Sequence, residues 1–396
     1  MNLTQIFNNL LKRINTTQYV VIFDIGSASI GGAVVYFDKE IPNITYCTRI
    51  KLPFQEESND KHLLIQIEEI LSQVANDIQQ YGLQSKDKHF IIPQEIVCVF
   101  SSLWSDTQSI NASFVNREKF VVTDSIMDNL LAQIHEGSKE EKKNKEVIIE
   151  EVVISSLLNG YPTRLPLGKE TQSIKVTFLE STISEELNTK ISDVIHNVFS
   201  PEIPLLLRSF TLVAFTIIRD TFEDIRDFLI VDVTGEITEI VVVHDYVLGD
   251  TLSFPYGKNT IVRDIAKNNS SIPEDILSRI KISLSNNIET KESVFKEEER
   301  WVDMFENACA NLSSETNPIP QNIFLITDSD YEKWFSSMIE RVDFSKFIAT
   351  KNDFIINLLI EKQFNGAYTL KDKVIKDNFL VIDSLFYNRE YLARRL

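Results

Sequence analysis

The stretch Tyr19 to Phe37, YVVIFDIGSASIGGAVVYF, constrains this 396-residue chain more than any other. An apolar run, Tyr19–Phe23, ends on Asp24. A turn of small residues follows, Gly26-Ser27-Ala28-Ser29, and after Gly31-Gly32 a second apolar run, Ala33–Phe37, returns. Short apolar runs bounded by turn residues predict buried strands. Small turn residues let backbone N–H groups and a hydroxyl approach phosphate, while an acid at the strand end can hold a hydrated cation. The spacing is neither GxxxxGK(S/T) nor GxGxxG, so this is not a P-loop or a dinucleotide fingerprint. Taken alone, the stretch is equally compatible with an ordinary hairpin.

A second copy tips the balance. Phe228–Val243, FLIVDVTGEITEIVVV, repeats the plan: an apolar run, Asp232, the turn Thr234-Gly235-Glu236, and an apolar return. Two Asp-ended hairpins in two halves of a chain predict a duplicated fold with a ligand cleft between the halves. The chain resembles the bacterial actin-like FtsA/PilM family, DIGSASIGGAVV being similar to its first phosphate motif and DVTGEITEIVVV to its second. The resemblance runs from Tyr19 to about Thr327 and rests mostly on the order of the pieces. It implies an α/β, two-lobed actin-like ATPase fold of duplicated ribonuclease-H-like domains with an inserted subdomain. The implied division is an N-terminal amphipathic segment over 1–17, a first lobe over 18–227 and a second lobe over 228–396. The inserted subdomain occupies about 107–187.

The resemblance also implies a site. ATP and Mg2+ would lie between the hairpins, with Asp24 and Asp232 holding the hydrated metal. Gly26, Ser27 and Ser29 would contact phosphate, and Thr234, Gly235 and Gly257 would complete the pocket from the second half. Gly257, Asn259 and Asp264 match in part the segment that follows the family's second motif. Two departures oppose this. The second motif has one glycine and carries Glu236 where a phosphate would sit, and a carboxylate repels phosphate unless a cation bridges them. Where the family has a glycine-rich turn against adenosine, this chain has Asp328-Ser329-Asp330-Tyr331.

Between these motifs the pattern is that of alternating strands and helices. Ile44–Leu52 reads as a third strand, His62–Tyr81 as an amphipathic helix ending at Gly82, Ser85–His89 as a loop and Ile96–Ser101 as a buried strand. Ser109–Val115 alternates, and Val121–Asp124 leads into a helix through Leu131. The mixed-charge run Glu136–Lys145 reads as a solvated loop. Val147–Leu158 is a strand ending in the hairpin signal Asn159-Gly160, followed by a strand over Ile174–Glu180 and a helix over Ser184–Phe199. Ile203–Asp220 supplies a strand and an apolar helix. His244-Asp245-Tyr246 turns the sheet, Gly249–Phe254 is a strand, and Tyr256–Thr260 opens a helix, a ready-made anion site. Ile276–Leu284 and Trp301–Leu312 read as helices around a charged stretch, Glu289–Arg300. Ile323–Thr327, Phe354–Ile360 and Asn378–Phe386 read as strands.

Composition narrows function. An apolar fraction of 43% and a charged fraction of 25% are those of a globular protein. The formal net charge of −18 argues against a nucleic-acid partner and disfavours attraction of the protein's body to anionic lipid. Cys47, Cys98 and Cys309 have no metal or disulfide spacing, which fits free thiols in a reducing compartment. No cleavable signal or membrane span is read, so the expected location is cytoplasmic, at or near the inner face of the cell membrane. At the N-terminus Leu3, Ile6, Phe7, Leu10, Leu11 and Ile14 form a helical stripe within Met1–Ile14. It suits a helix lying on a membrane, though so short and weakly basic a segment better suits one docked on the protein or paired with a partner.

Three functional classes follow. The first is an actin-like nucleotide-binding scaffold that recruits partners to a membrane machine for type IV pilus assembly or cell division. Its partners would be membrane proteins offering short cytoplasmic peptides, with self-association open. The second is a nucleotide-free adaptor of the same fold. The third is a small-molecule kinase, for which no constellation beyond Asp24 and Asp232 is found.

Overall fold

A computed structural model describes residues 18–37, 41–55, 59–84, 90–138, 145–163, 165–286, 292–314, 318–347, 354–359 and 361–394. The stripe over Met1–Ile14 and the loop Ser85–His89 lie outside the described residues, as does most of the charged run after Ser138.

The first half begins β1 (Gln18–Ile25), β2 (Ser29–Phe37), β3 (Asn43–Lys51), α1 (Asp60–Asp77) and β4 (Glu95–Phe100). An inserted block follows: β5 (Ser105–Val121), α2 (Asp124–Ser138), β6 (Glu146–Leu158), β7 (Tyr161–Pro162) and β8 (Glu170–Ser184). The chain then completes the first lobe with α3 (Glu185–Val198), β9 (Leu205–Ser209) and α4 (Phe210–Thr221). The second half runs β10 (Phe228–Val233), β11 (Thr238–His244), β12 (Val247–Phe254), α5 (Lys258–Asn268), α6 (Pro273–Asn286) and α7 (Glu292–Leu312). It ends with β13 (Asn322–Ile326), α8 (Glu332–Ile339), β14 (Ile355–Leu358), β15 (Thr369–Leu370) and α9 (Asn378–Ala393).

Two sheets share one topology. The first is ordered β15-β3-β2-β1-β4-β9 and the second β12-β11-β10-β13-β14. In each, a three-strand antiparallel meander carries two parallel strands on its far side. Parallel neighbours need long crossovers, here supplied by α1, the inserted block with α3, the helices α5 to α7, and α8. Strands covered on both faces read as unbroken apolar runs, which is why Tyr19–Phe23 and Phe228–Val231 show no alternation. The inserted block is a separate antiparallel sheet, β5-β8-β6-β7, and its Asn159-Gly160 tip has positive φ at both residues, as a two-residue hairpin turn requires.

The lobes exchange helices. Helix α9 lies against the first sheet, with the Tyr387 ring 5.0 Å from Phe37. Helix α4 reaches the second, where Thr211 Oγ1 donates to Glu239 Oε2 at 2.8 Å. The residues of α4 and α9 share one buried cluster with the facing sides of both sheets. This corrects the reading of Asn378–Phe386 as a strand. Apolar residues surround α9 because it is enclosed between sheets, so the helical period is lost; Asp377 caps it by accepting from the Leu380 N–H at 3.1 Å. The charged stretch Glu289–Arg300 is likewise no spacer: from Glu292 it is the first half of α7, and Glu298 is buried, accepting from Trp334 Nε1 at 2.7 Å.

Candidate functional site: the interlobe cleft and the groove beside it

The two Asp-ended turns meet. Asp24, Gly26, Ser27, Ser29, Asp232, Thr234 and Gly235 line one cavity, as the sequence suggested, and Arg49, Lys258 and Asp328 line it too. That cavity is only about 50 Å³.

Its first half is organised by Arg49. In register across the sheet, Asp24 faces Gly31 and Gly31 faces Arg49. A Cβ on Gly31 would sit 2.5 Å from Arg49 Nη2, so the missing side chain is the passage through which the guanidinium crosses β2. Arg49 Nη2 donates to Asp24 Oδ2 at 2.6 Å and to Asp377 Oδ1 at 3.0 Å, Nε donates to Asp377 Oδ2, and Nη1 donates to Ser29 Oγ at 2.9 Å. Burial opposes the charge on Arg49, but Asp24 and Asp377 outweigh it and hold the guanidinium firmly protonated. Burial raises the Asp24 carboxyl above its ordinary range, with Arg49 pulling against it. Asp232 has no ion pair among the described residues. Burial, then Glu239 and Asp24 beside it, push it well above the carboxylate range.

The second turn is satisfied from within the protein. Ser27 Oγ accepts from the Gly235 N–H at 3.0 Å and the Glu236 N–H at 3.2 Å. The first amides of α5 are spent on the same turn: Gly257 N donates to Glu236 O (3.0 Å), Lys258 N to Thr234 O (2.9 Å) and Asn259 N to Gly235 O (2.7 Å). Gly257 lies under the turn, where a Cβ would come within 2.6 Å of three backbone atoms. The expectation that Glu236 opposes a phosphate is corrected. Its carboxylate turns away from the cleft into a bidentate pair with Arg263 on α5, Nη1 donating at 2.9 Å, and accepts from Thr260 Oγ1 at 3.2 Å. Asp264 is not in the cavity either; it pairs with Arg300 at 2.9 Å. On the far wall Lys258 Nζ pairs with Asp328 and sits 4.9 Å from the Tyr331 ring centre. Burial raises the Asp328 carboxyl, but Lys258 outweighs it and brings it below its ordinary value.

ATP with Mg2+ does not fit this arrangement. Small-molecule pockets run from roughly 300 to 1,000 Å³. Here the second turn's donors that would face phosphate already have an acceptor, and Asp24, one of the two acids that would face metal, already has a guanidinium.

Beside the cleft lies a groove of about 630 Å³ between the base of the inserted block and the second lobe. Its lining includes Asp106, Gln108, Glu146, Glu239, Asp250 and Ser253. Burial raises Glu239 to about 7, with Thr211 donating against the shift and Asp106 adding to it. Farther out on the inserted block, His135 Nε2 is 2.9 Å from Glu151 Oε1, tying α2 to its sheet.

Sequence reasoning missed Arg49, Lys258 and Asp377. Arg49 offered one signal, a charged residue inside the segment read as a third strand of the sheet. Lys258 sat within the helix-opening segment, and Asp377 was masked by the misread final helix.

Two sheets that match over five strands, the first adding β15 at its edge, each open on an Asp-ended hairpin at a shared cleft and are bridged by exchanged helices, which defines the actin-like ATPase fold. A chain of the PilM–PilN type IV pilus biogenesis complex matches with a TM-score of 0.62 and 11% identity, covering 93% of this chain and 97% of that one. The ethanolamine utilization protein EutJ from Carboxydothermus hydrogenoformans matches more weakly, with a TM-score of 0.44 and 13% identity over 93% of this chain and 89% of its own. Only the first likeness bears weight, and at that identity it speaks for the fold alone. No protein-family model matches the chain, and no curated protein matches it in sequence.

Proposed function

We propose that the protein is a partner-recruiting scaffold of a type IV pilus-like membrane machine, working at the cytoplasmic face through the groove below its inserted block. The observation that carries this is the groove itself: it stays open while the cleft next to it is closed, about 630 Å³ against about 50 Å³. The fold shared with the PilM chain supports the choice of machine. The groove is rimmed by strand residues and hydroxyls that can pair with the backbone of an extended peptide. Its carboxylates Asp106, Glu146 and Asp250 outnumber Lys145, the one cation among its described residues, which favours a peptide carrying Lys or Arg. No helix among the described residues is long and apolar enough to cross a membrane. Cell division is the second setting in which such a scaffold works, and nothing in the groove favours it over pilus assembly.

The test is fluorescence anisotropy with labelled cytoplasmic peptides of type IV pilus membrane proteins. Binding should occur without nucleotide, and Asp250→Lys should weaken it at least about tenfold, a loss of roughly 1.4 kcal/mol. Binding that requires ATP, or that is indifferent to Asp250→Lys and to Asp106→Lys, would rule this reading out.

A further inference from the structure

We propose that the interlobe cleft is an intramolecular latch in place of a nucleotide site. Arg49 stands where a metal ion would neutralise Asp24, and Ser27 Oγ stands where a phosphate oxygen would accept from the second turn. The inference concerns the cleft, and it stands whether or not the groove takes a peptide.

Two contacts make the latch, and a third pair closes its wall. Ser27, from the first lobe, accepts two amides of the second at 3.0 and 3.2 Å, so the phosphate-facing donors of one lobe are spent on a side chain of the other. Arg49 joins the first hairpin to the final helix, bonding Asp24 on β1 and Asp377 at the α9 N-cap. A guanidinium has five donors in a fixed fork, and here they reach two carboxylates and the Ser29 hydroxyl, so the cation is held by geometry as well as charge. Lys258 with Asp328 closes the far wall, and Lys258 also lies over the ring of the buried Tyr331.

Space agrees with chemistry. About 50 Å³ is far below the roughly 300 Å³ at which small-molecule pockets begin, and leaves no room for a triphosphate. Gly235 sets how tightly the turns meet, since a Cβ there would lie 2.9 Å from Ala28 Cβ and 3.0 Å from Ser27 Oγ. In a nucleotide-driven actin-like protein the ligand supplies the countercharge and the hydrogen-bond acceptors that draw two lobes together. In this chain side chains supply both, so the closed state is the ground state of the free protein, and any partner binds a scaffold whose lobes are already set.

Two measurements on the full chain decide the matter. Titrating Mg-ATP, Mg-ADP and Mg-GTP by calorimetry should give no saturable heat up to about 1 mM, and the same ligands should leave Tm unchanged. Hydrogen exchange of the peptide spanning 232–238 should be slow in wild type and accelerate about tenfold or more in Ser27→Ala, while the peptide covering β13 stays as it was. Ser27→Ala removes one hydroxyl and leaves the core intact, so its fold is not at risk. Saturable Mg-nucleotide binding below millimolar, or exchange of 232–238 that ignores Ser27→Ala, would overturn the proposal.

Discussion

The same row of three residues is filled in opposite ways in the two lobes. Across β1, β2 and β3 it reads Asp24, Gly31, Arg49; across β10, β11 and β12 it reads Asp232, Glu239, Ser253. In the first lobe a glycine opens a path and a cation comes through to the acid. In the second a glutamate stands where the glycine was, so two carboxylates lie side by side and no ion pair reaches either among the described residues. Both are pushed upward by burial, Asp232 well above its ordinary range and Glu239 to about 7. A duplicated backbone thus carries two electrostatic designs, one that holds charge by pairing it and one that sheds it by keeping protons. The strand pattern records the shared backbone, and the middle residue of the row decides the chemistry.

The largest effect should come from removing the cation. Arg49→Met leaves Asp24 and Asp377 buried without their shared partner, which costs about 3 to 5 kcal/mol by the general behaviour of buried pairs. Asp232→Asn removes a carboxyl that has no ion pair among the described residues and that burial holds protonated above the usual range, so it should be neutral or slightly stabilising. Urea unfolding midpoints of the two variants test the contrast. Equal losses would mean that the two acids are held alike, and the comparison would fail.

A smaller effect with a distinct pH signature is expected at Glu239. Its folded pKa of about 7 lies above the ordinary 4.5, so the folded state binds the proton more tightly than the unfolded chain. The cost of ionising it is absent below pH 4.5, grows as pH rises towards 7, and is complete above that. Each tenfold difference in proton affinity between the two states is worth about 1.4 kcal/mol, so Glu239→Gln should stabilise the protein at pH 8 by up to roughly 3 kcal/mol. Near pH 4 it should make little difference. The amide oxygen can still accept from Thr211, so the substitution isolates charge. A stabilisation of the same size at both ends of the range would place its origin in packing and not in the proton.

How much of this was legible beforehand follows from what each feature depends on. The Asp-ended hairpins were visible because a buried strand with a small-residue turn is a local pattern, and two copies implied two matching sheets. The inserted block announced itself through alternation and the Asn159-Gly160 turn. Helix α9 was unreadable by period because it is buried all round, and with it went Asp377, the second partner of Arg49. The fate of Glu236 was also hidden. Only the position of α5 shows that its carboxylate meets Arg263 and not the cleft. Pairings between residues hundreds apart, such as Arg49 with Asp377 or Ser27 with Gly235, depend on how the lobes close, and no single-chain spacing encodes them.

The smallest change asks whether the glycine really is the passage. Gly31→Ala places a Cβ 2.5 Å from Arg49 Nη2 and 3.2 Å from Leu380 Cδ1. The obstructing atom is the tip of a long side chain, so the chain can give way, but the guanidinium must then leave Asp24 while keeping Asp377. A loss of about 1 to 2 kcal/mol is expected, in the range of modest overpacking. The sharper reading comes from combining it with Arg49→Met. If the alanine acts by displacing the guanidinium, it should cost little once the guanidinium is gone, giving a coupling of about 1 kcal/mol between neighbours that share a partner. Additive losses in the double variant would trace the strain to Leu380 instead, and the glycine would then mark close packing of α9 on the sheet and not a channel for charge.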